Sequence, residues 1–349
     1  MKASSRGDPS KRMRIALIGP GSIGGATAAF LTRAGCDVEV VCRTAEVADR
    51  LASSGMRVTG ARGSFTAPLK TVARVESLSG PKDLVLLATK AADILAPARA
   101  VLPFMGPESL LVSLQNGICV DALGGVVGRE RVIGCVIGWG ATLHNHGWVE
   151  VTSRGRFVIG PIAGTAAPRL AALQAVLGRV MPTSVSKNIY GDLYAKLILN
   201  CCFNALCAVA NRTVRELIAH RRGREIFVAV MREAVAVADA EGLKVEPFFG
   251  ILDFHRFLSG AGAAARLKRD LFMLAIRLFS GTSRPSTLQS LDRGQPTEID
   301  YLNGYVAARG GERGVPTPVN ARLVSLVHEI EAGSRSMGIE NLDAVYGIL

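Results

Sequence analysis

Three polar side chains recur at four-residue intervals in an otherwise apolar stretch, YAKLILNCCFNALCAV, from Tyr194 to Val209. They are Lys196, Asn200 and Asn204, and helical geometry would bring them within about 80° of one another on one face. Because the rest of the stretch is apolar all round, we expect the helix to be buried. An unpaired buried polar group costs about 1–3 kcal/mol, so the stripe predicts one wall of a polar cleft.

The chemistry that fits this stripe is the reduction of a carbonyl group. A lysine in an apolar environment has a lowered pKa, and its ammonium can protonate a carbonyl oxygen as a hydride arrives from a nicotinamide. The two amides can orient a carboxylate or a hydroxyl group of the substrate. The alternative interpretation is that Lys196 extends to solvent while the asparagines tie down neighbouring loops.

A second set of polar residues lies in RPSTLQSLDRGQPTEIDYLNG, from Arg284 to Gly304. We interpret Thr297 as the N-cap of a helix and Asp300 as its capping-box partner, which makes Asp300 structural. Glu298 has no part in that cap and can face the cleft. Ser286 lies twelve residues before Glu298, on a loop or a helix start. We expect these two side chains to meet the same ligand.

The beginning of the chain predicts a dinucleotide-binding domain. An apolar strand, Met13 to Ile18, is followed by GPGSIG, an alanine-rich helix and a second strand, Asp37 to Cys42. GxGxxG in this context of strand, turn, helix and strand is the dinucleotide fingerprint. Gly19 permits the tight turn, Gly21 lets the backbone approach a pyrophosphate, and Gly24 lets the helix pack closely on the strand. The helix N-terminus then faces the phosphates.

The end of the second strand favours NADP over NAD. An NAD site carries an acidic residue there, whereas this chain has Arg43, and Glu39 lies too early in the strand. An arginine can bind the 2′-phosphate, although Arg43 could also be an ordinary surface residue. Two later strands end at Lys90 and at Asn116, where we expect contacts with cofactor or substrate. The alternative for Asn116 is a simple turn with the glycine that follows it.

Length and composition predict a two-domain α/β protein. The chain has 349 residues, of which 49% are apolar and 38 are glycine. This profile is typical of α/β enzymes. We predict a Rossmann-like α/β domain at residues 13–187, followed by an all-α domain at 188–349, with the active site in the cleft between them. Residues 134–160 are expected to complete the sheet with antiparallel strands.

Charge and cysteine content argue against several classes of protein. The net charge of +12 is scattered and no zinc-finger or RNA-binding pattern is found, so we expect attraction for anionic small molecules and no nucleic-acid partner. The seven cysteines show no metal-ligand spacing with the five histidines, and His144 and His146 fit a polar turn better than a metal site. The polar N-terminus and the lack of an uninterrupted apolar run of spanning length predict a cytoplasmic protein without a membrane partner.

Taken together, five motifs resemble the ketopantoate reductase (2-dehydropantoate 2-reductase) family. They are MRIALIGPGSIGG at 13–25, ATK at 88–90, QNG at 115–117, KLILNCCFNAL at 196–206 and PTEIDYLNG at 296–304. The resemblance covers most of the chain, and it implies an NADPH-dependent reduction of ketopantoate to pantoate, the step that feeds pantothenate and coenzyme A synthesis. It also implies a Rossmann domain followed by a helical domain.

The same resemblance implies a role for each candidate residue. Lys196 is similar to the family's proton donor, and Glu298 to the glutamate near the cofactor and that lysine. Asn116 matches a contact shared by cofactor and substrate. The remaining matches are the cofactor-binding positions Arg43 and Lys90 and the substrate contacts Asn200, Asn204 and Ser286.

Two departures from the family pattern leave the identity of the 2-oxo acid open. The family's SSMLQD segment is PSTLQS here, without its acidic residue, and residues 246–283 are longer, more basic and more apolar than expected. The alternatives are a paralogous reductase of another 2-oxo acid, a β-hydroxyacid-type dehydrogenase, which TEIDYLNG argues against, and a nucleotide-sensing Rossmann protein without activity. The sequence does not separate a monomer from a homodimer.

Overall fold

The computed structural model describes residues 13–164, 167–279 and 284–349. The chain divides into two compact units, the first ending at Ile189 and the second running from Tyr190 to Leu349. The division falls two residues after the boundary drawn from the sequence at 187.

The first unit contains both strands and helices. Its elements are β1 (Arg14–Ile18), α1 (Ser22–Arg33), β2 (Asp37–Val41), α2 (Ala45–Ser54), β3 (Met56–Gly60), β4 (Phe65–Ala67), β5 (Lys70–Val72), β6 (Lys82–Leu87), α3 (Leu95–Ala100), β7 (Met105–Ser113), α4 (Val120–Val127), β8 (Val132–Ile137), β9 (Gly140–Asn145), β10 (Trp148–Ser153), β11 (Phe157–Pro161), α5 (Ala167–Gly178) and β12 (Thr183–Val185).

Eight of these strands form one sheet in the order β12-β11-β8-β7-β6-β1-β2-β5. The six strands from β8 to β5 run parallel to one another. Parallel strands covered on both faces are commonly apolar throughout, and in the central strand β1 the residues Ile15, Ala16 and Leu17 are fully buried. The carboxyl ends of the parallel strands meet at one edge, where open sheets bind ligands. The predicted Rossmann-like architecture is confirmed.

The prediction for residues 134–160 is only partly right. Strand β8 runs parallel to β7, and β11 pairs antiparallel with β8 as expected. The hairpin of β9 and β10, however, belongs to a separate four-stranded sheet, β4-β3-β10-β9. Its buried residues Val149 and Val151 lie in a layer that packs on α1 rather than extending the large sheet.

In the HNHG turn of this hairpin, His144 contacts two residues of β10. The ring of His144 stacks on Trp148, with centroids 4.2 Å apart, and its Nε2 lies 2.8 Å from a carboxylate oxygen of Glu150. Within the described ranges, no group of three or more histidine, cysteine, aspartate or glutamate residues could hold a metal ion.

The second unit consists of helices. They are α6 (Ile189–Asn200), a π-helical segment (Cys201–Ala205), α7 (Leu206–Ala210), α8 (Val214–Ala219), α9 (Arg221–Ala240), α10 (Phe254–Leu258), α11 (Gly262–Phe279), α12 (Ser286–Asp292), α13 (Asn303–Arg313), α14 (Pro318–Glu331) and α15 (Asn341–Tyr346). Within residues 190–279 and 284–349, the only β structure is an isolated bridge between Phe248 and Leu252.

The run from Ile189 to Ala210 is a single continuous helix of 22 residues that includes the π segment. By length and composition it is the one helix of the described residues that could cross a bilayer, which the sequence analysis did not anticipate. Of its apolar window, 78% is buried inside the protein. This burial is that of a core helix, as expected from its all-round apolar character.

The helix start predicted at Thr297 is wrong. A short 3₁₀ turn occupies Ile299–Tyr301, and α13 begins only at Asn303. The Thr297 hydroxyl accepts a hydrogen bond from the Ile299 amide, 3.3 Å away, instead of capping a helix. The Asp300 carboxylate lies 2.9 Å from His328 Nε2, so a partner from α14 replaces the predicted capping box.

Candidate active site

The glycine turn after β1 is built by close backbone contacts. Gly19 has φ +95°, and a Cβ atom there would lie 3.0 Å from the backbone of Ala88 and Thr89. A Cβ atom on Gly24 would lie 2.1 Å from the Gly19 carbonyl oxygen. At Gly21, by contrast, no atom lies within 4 Å of such a Cβ, so the backbone there is open to a ligand. The turn at Gly19 and the close packing at Gly24 agree with the fingerprint, and the approach of a pyrophosphate to Gly21 stays a prediction.

The N-terminus of α1 fits an anionic group. The helix begins at Ser22, its N-cap Gly21 supplies no side-chain hydrogen bond, and its first turn contains no acidic residue. The first amides of such a helix need acceptors, and the helix dipole favours negative charge at this end. The residues present therefore fit the pyrophosphate of a dinucleotide.

The end of β2 carries a basic and not an acidic side chain. The Gly19 amide donates to the Val41 carbonyl at 3.1 Å, which ties the glycine turn to this strand end. Arg43 follows two residues later, is exposed, and has no side-chain hydrogen bond or ion pair with any residue that the structure describes.

Glu39, the acid within β2, is engaged elsewhere. Its carboxylate lies 2.5 Å from Lys82 Nζ and accepts hydrogen bonds from the amide and hydroxyl of Ser79. Burial alone would raise the pKa of Glu39, but the hydrogen bonds from Lys82 and Ser79 outweigh it and lower the pKa. A carboxylate held in this way is not available to ribose hydroxyls.

Lys90 and Asn116 lie just past neighbouring strand ends. Lys90 is exposed and precedes a 3₁₀ turn at Ala91–Asp93 after β6. Asn116 is half-buried and follows β7. Strands β6 and β7 pair in parallel, so both residues lie at the same edge of the sheet as the glycine turn.

Sequence reasoning did not identify Gln115, which connects these two strand ends. Its side chain is 7% exposed, and its Nε2 donates to the carbonyl oxygens of Leu87 at 2.8 Å and Thr89 at 3.1 Å. Its Oε1 accepts a hydrogen bond from the Ser113 hydroxyl at 2.6 Å. Gln115 thus fixes the segment that leads to Lys90 against the segment that leads to Asn116. Its place in QNG was the only signal in the sequence.

In the second unit, the helix carrying Lys196 changes its winding within the polar stripe. Lys196 and Asn200 lie on α6 and are half-buried, whereas Asn204 lies in the π segment and is 7% exposed. A π turn contains more residues than an α turn, so Asn204 does not occupy the angle that a uniform α-helix gives it. Single π turns within α-helices are frequent at functional sites.

A buried amide network supports the π segment. Asn303 Nδ2 donates to the Cys201 carbonyl at 3.2 Å and to Asn320 Oδ1 at 2.9 Å. Asn320 in turn donates to Glu233, whose carboxylate also accepts from the backbone amide of Asn320. Asn303 and Asn320 are both fully buried. Asn303 was missed because its partner lies a hundred residues away in the sequence, although it is part of PTEIDYLNG.

The structure brings two of the predicted substrate contacts together. Asn204 Nδ2 donates to the hydroxyl of Ser286, the first residue of α12, at 3.2 Å. The side-chain nitrogen of Asn200 is buried and has no acceptor among the described residues. A buried donor without a partner is costly, so this amide is suited to an acceptor on a ligand.

Glu298 is held by its neighbours in the chain. It is half-buried and immediately precedes the 3₁₀ turn. On one side the Thr297 amide donates to Glu331 at 2.7 Å, and on the other Asp300 pairs with His328. His328 also contacts Glu331 at 2.9 Å, which closes a small polar cluster around the segment. That Glu298 meets the same ligand as Ser286 stays a prediction.

Comparison with known protein families agrees with these features. Residues 15–164 match the family model described as ketopantoate reductase PanE/ApbA, and residues 188–331 match the model of its C-terminal domain. The chain belongs to the ketopantoate reductase family. The family resemblance stated from the motifs is thus confirmed, and the protein is an oxidoreductase.

Similar proteins extend over nearly the whole chain. A 2-dehydropantoate 2-reductase of Mesorhizobium japonicum is 27% identical over 91% of this chain and 98% of its own length. The 2-dehydropantoate 2-reductase of Archaeoglobus fulgidus is 28% identical over 92% of this chain and 98% of its own length. A solved ketopantoate reductase family structure from Ralstonia eutropha is 29% identical, with a TM-score of 0.77 over 93% of this chain and 100% of its own. The D-mandelate dehydrogenase structure with NADH, 23% identical at a TM-score of 0.79, shows the same fold.

Proposed function

We propose that this protein reduces a 2-oxo acid with NADPH, and that its substrate is 2-dehydropantoate, which becomes pantoate in pantothenate and coenzyme A biosynthesis. The observation that carries the proposal is the polar stripe of the second unit. There Lys196 shares a helix with an unpaired buried amide, Asn200, and with Asn204, which is already hydrogen-bonded to Ser286. A proton donor beside amide and hydroxyl groups suits a 2-oxo acid that carries a hydroxyl group.

The first unit supplies the residues suited to NADPH. The amides at the start of α1 and the open backbone at Gly21 suit the pyrophosphate. Arg43 suits the 2′-phosphate, since its guanidinium has no protein partner among the described residues. We assign Lys90 and Asn116, at the same sheet edge, to cofactor contacts, with Asn116 shared by the substrate. When bound, the cofactor supplies a hydride to the carbonyl carbon.

The protein's own groups complete the reduction by moving a proton and orienting the substrate. Lys196 Nζ donates a proton to the carbonyl oxygen as the carbon becomes tetrahedral. Asn200 donates a hydrogen bond to the substrate carboxylate, and the pair of Asn204 and Ser286 binds its hydroxyl group. Glu298 acts with Lys196 and keeps it positioned for this transfer. A cytoplasmic location fits such a reaction of soluble metabolites.

The test measures the decrease in NADPH absorbance after the purified protein is mixed with 2-dehydropantoate. Pyruvate, 2-oxoisovalerate and oxaloacetate serve as comparison substrates, and NADH as the comparison cofactor. Rapid oxidation of NADPH with 2-dehydropantoate alone is the expected result. Turnover only with another 2-oxo acid would overturn the substrate assignment and point to PSTLQS and residues 246–283 as the cause. A preference for NADH would overturn the cofactor assignment.

A further inference from the structure

A second arginine, Arg74, occupies the same place after β5 that Arg43 occupies after β2. The two strands pair in parallel, with Val40 opposite Thr71 and Val41 opposite Val72. The pairing continues past the strand ends, because the Cys42 amide donates to the Val72 carbonyl at 2.8 Å. In this register the next residues to come side by side are Arg43 and Arg74.

Continued by two residues, the strand register brings the positions of Arg43 and Arg74 to the same side of the sheet at its end. Neighbouring parallel strands lie about 4.8 Å apart, and residues opposite each other point to the same side. The backbone of Arg74 is still extended, with φ −144° and ψ 150°, so the alternation of the strand reaches this residue. Arg43 and Arg74 are both exposed, while the residues before them are buried or half-buried.

Neither guanidinium is neutralised by a nearby acid. In the part of the chain that the structure describes, Arg43 and Arg74 have no side-chain hydrogen bond and no ion pair. The carboxylates that follow them, Glu46 and Glu76, are exposed and do not pair with them. Two adjacent positive charges repel each other, and a doubly charged anion between them would relieve this repulsion.

We propose that Arg74 and Arg43 form a two-arginine clamp for the 2′-phosphate of NADPH, with Arg74 as a specificity-determining residue. The inference rests on the proposed use of NADPH. Its location supports it, since the Gly19 amide joins the pyrophosphate turn directly to the end of β2 at 3.1 Å. In sheets of this type a residue near the end of the second strand contacts the ribose next to the adenine, and β5 is the strand that pairs with β2 here.

The experiment measures binding of two cofactor fragments, which separates recognition from catalysis. Isothermal titration calorimetry compares adenosine 2′,5′-bisphosphate with adenosine 5′-monophosphate, which lacks the 2′-phosphate. The proteins are the wild type, Arg43→Ala, Arg74→Ala and Arg74→Lys. The matched control is Arg99→Ala, because Arg99 is also exposed but lies in the last turn of α3, which leads back to the amino ends of the strands.

For Arg74→Ala we expect about tenfold weaker binding of the bisphosphate, the scale of one charge-assisted hydrogen bond. Binding of the monophosphate should change less than twofold, Arg74→Lys should retain part of the affinity, and Arg99→Ala should match the wild type. In steady-state kinetics Arg74→Ala should raise the KM for NADPH and leave kcat and the KM for NADH unchanged.

Two other outcomes have different meanings. If the wild type binds both fragments equally, the proposed use of NADPH is itself wrong. If the wild type prefers the bisphosphate and only Arg43→Ala loses this preference, NADPH use stands and the clamp is rejected. If Arg74→Ala and Arg99→Ala weaken bisphosphate binding equally, the clamp is also rejected, because the loss would then be a general effect of removing a positive charge.

Discussion

The glycine turn of the first unit and the Lys196 helix of the second present their functional groups in different ways. The turn offers backbone amides, and its shape depends on residues that are adjacent in the sequence or in paired strands. The helix offers side chains, and these depend on partners from distant segments, Ser286 for Asn204 and Asn303 for the π segment. A site made of backbone is therefore specified locally, and a site made of side chains is specified by the tertiary fold.

The largest effect is expected for Lys196→Ala, which removes the proposed proton donor from the helix. Loss of a general acid lowers kcat by about 10² or more. Binding of NADPH, measured by titration, should be unchanged, because the proposed cofactor contacts belong to the other unit. A folded variant with near-normal kcat would contradict the assigned role of Lys196. Lys196→Arg should not restore the rate, since a guanidinium scarcely gives up its proton.

A pair of glycine substitutions tests the backbone half of the comparison. Gly24→Ala places a methyl group 2.1 Å from the Gly19 carbonyl oxygen, so α1 must move, and we expect a loss of stability of about 2 kcal/mol together with weaker cofactor binding. Gly21→Ala adds the same methyl group to open space. It should leave the unfolding temperature unchanged and raise only the KM for NADPH.

Thermal unfolding and cofactor titration of both variants give the answer. If Gly21→Ala binds NADPH normally, the open backbone is not where the pyrophosphate lies. If Gly24→Ala unfolds at the wild-type temperature, the close packing of α1 against the turn does not contribute to stability.

Asn303→Ala tests the side-chain half, because Asn303 positions the π segment without being assigned any contact with substrate. It should cost about 2 kcal/mol of stability by leaving a buried carbonyl unpaired, and it should lower kcat more than it raises the KM for the 2-oxo acid. Asn341 is the matched control, since it is also buried and its Nδ2 donates to the Val209 carbonyl at 2.8 Å, further along the same helical run.

Asn341→Ala should lose similar stability and keep its kcat. Equal kcat values in the two variants, with both folded at the assay temperature, would mean that the π segment does not position Asn200 and Asn204. Differential scanning fluorimetry and steady-state kinetics on the same preparations measure both quantities.

The difference between the two regions also decides what could be predicted from the sequence. The fingerprint predicted the left-handed turn at Gly19 and the close packing at Gly24, because both follow from covalent geometry and strand order, whereas the ligand contact at Gly21 stays a prediction. The 3.6-residue period located the polar stripe, yet it did not reveal the π turn, where the Cys201 carbonyl accepts a hydrogen bond from Asn303, a hundred residues away.

The remaining errors have the same origin. Asp300 satisfied the spacing of a capping box, but His328 on another helix competes for its carboxylate. Gln115 stands in a short motif, and its bridging role depends on the neighbouring strand, which supplies the Leu87 and Thr89 carbonyls. Contacts of this kind are decided by which segments the fold brings together, and neither spacing nor propensity encodes them.

The smallest expected effect concerns the cluster that holds the Glu298 segment, and it depends on pH. Burial, the largest single influence, lowers the pKa of His328, but its contacts with Glu331 and Asp300 together raise the pKa above the usual 6.5. A group whose pKa is raised in the folded protein stabilises it fully at pH values below the pKa of the unfolded state. This stabilisation is lost as the pH rises through the pKa of the folded state. His328→Gln should therefore be more destabilising at pH 5.5 than at pH 9, by about 0.5 kcal/mol, since the side chain is partly solvated.

Chemical denaturation at the two pH values measures this difference. In an Asp300→Asn background, the destabilisation caused by His328→Gln should differ less between pH 5.5 and pH 9. The reason is that one of the two carboxylates that raise the pKa of His328 is then replaced by a neutral amide. An unchanged difference between the two backgrounds would show that Asp300 does not act on His328. Thr297 and Asp300 lie on either side of Glu298 in the sequence. If the cluster positions Glu298 for its work with Lys196, His328→Gln should also lower kcat more at pH 5.5 than at pH 9. A change in stability without this change in kcat would mean that the cluster does not position Glu298.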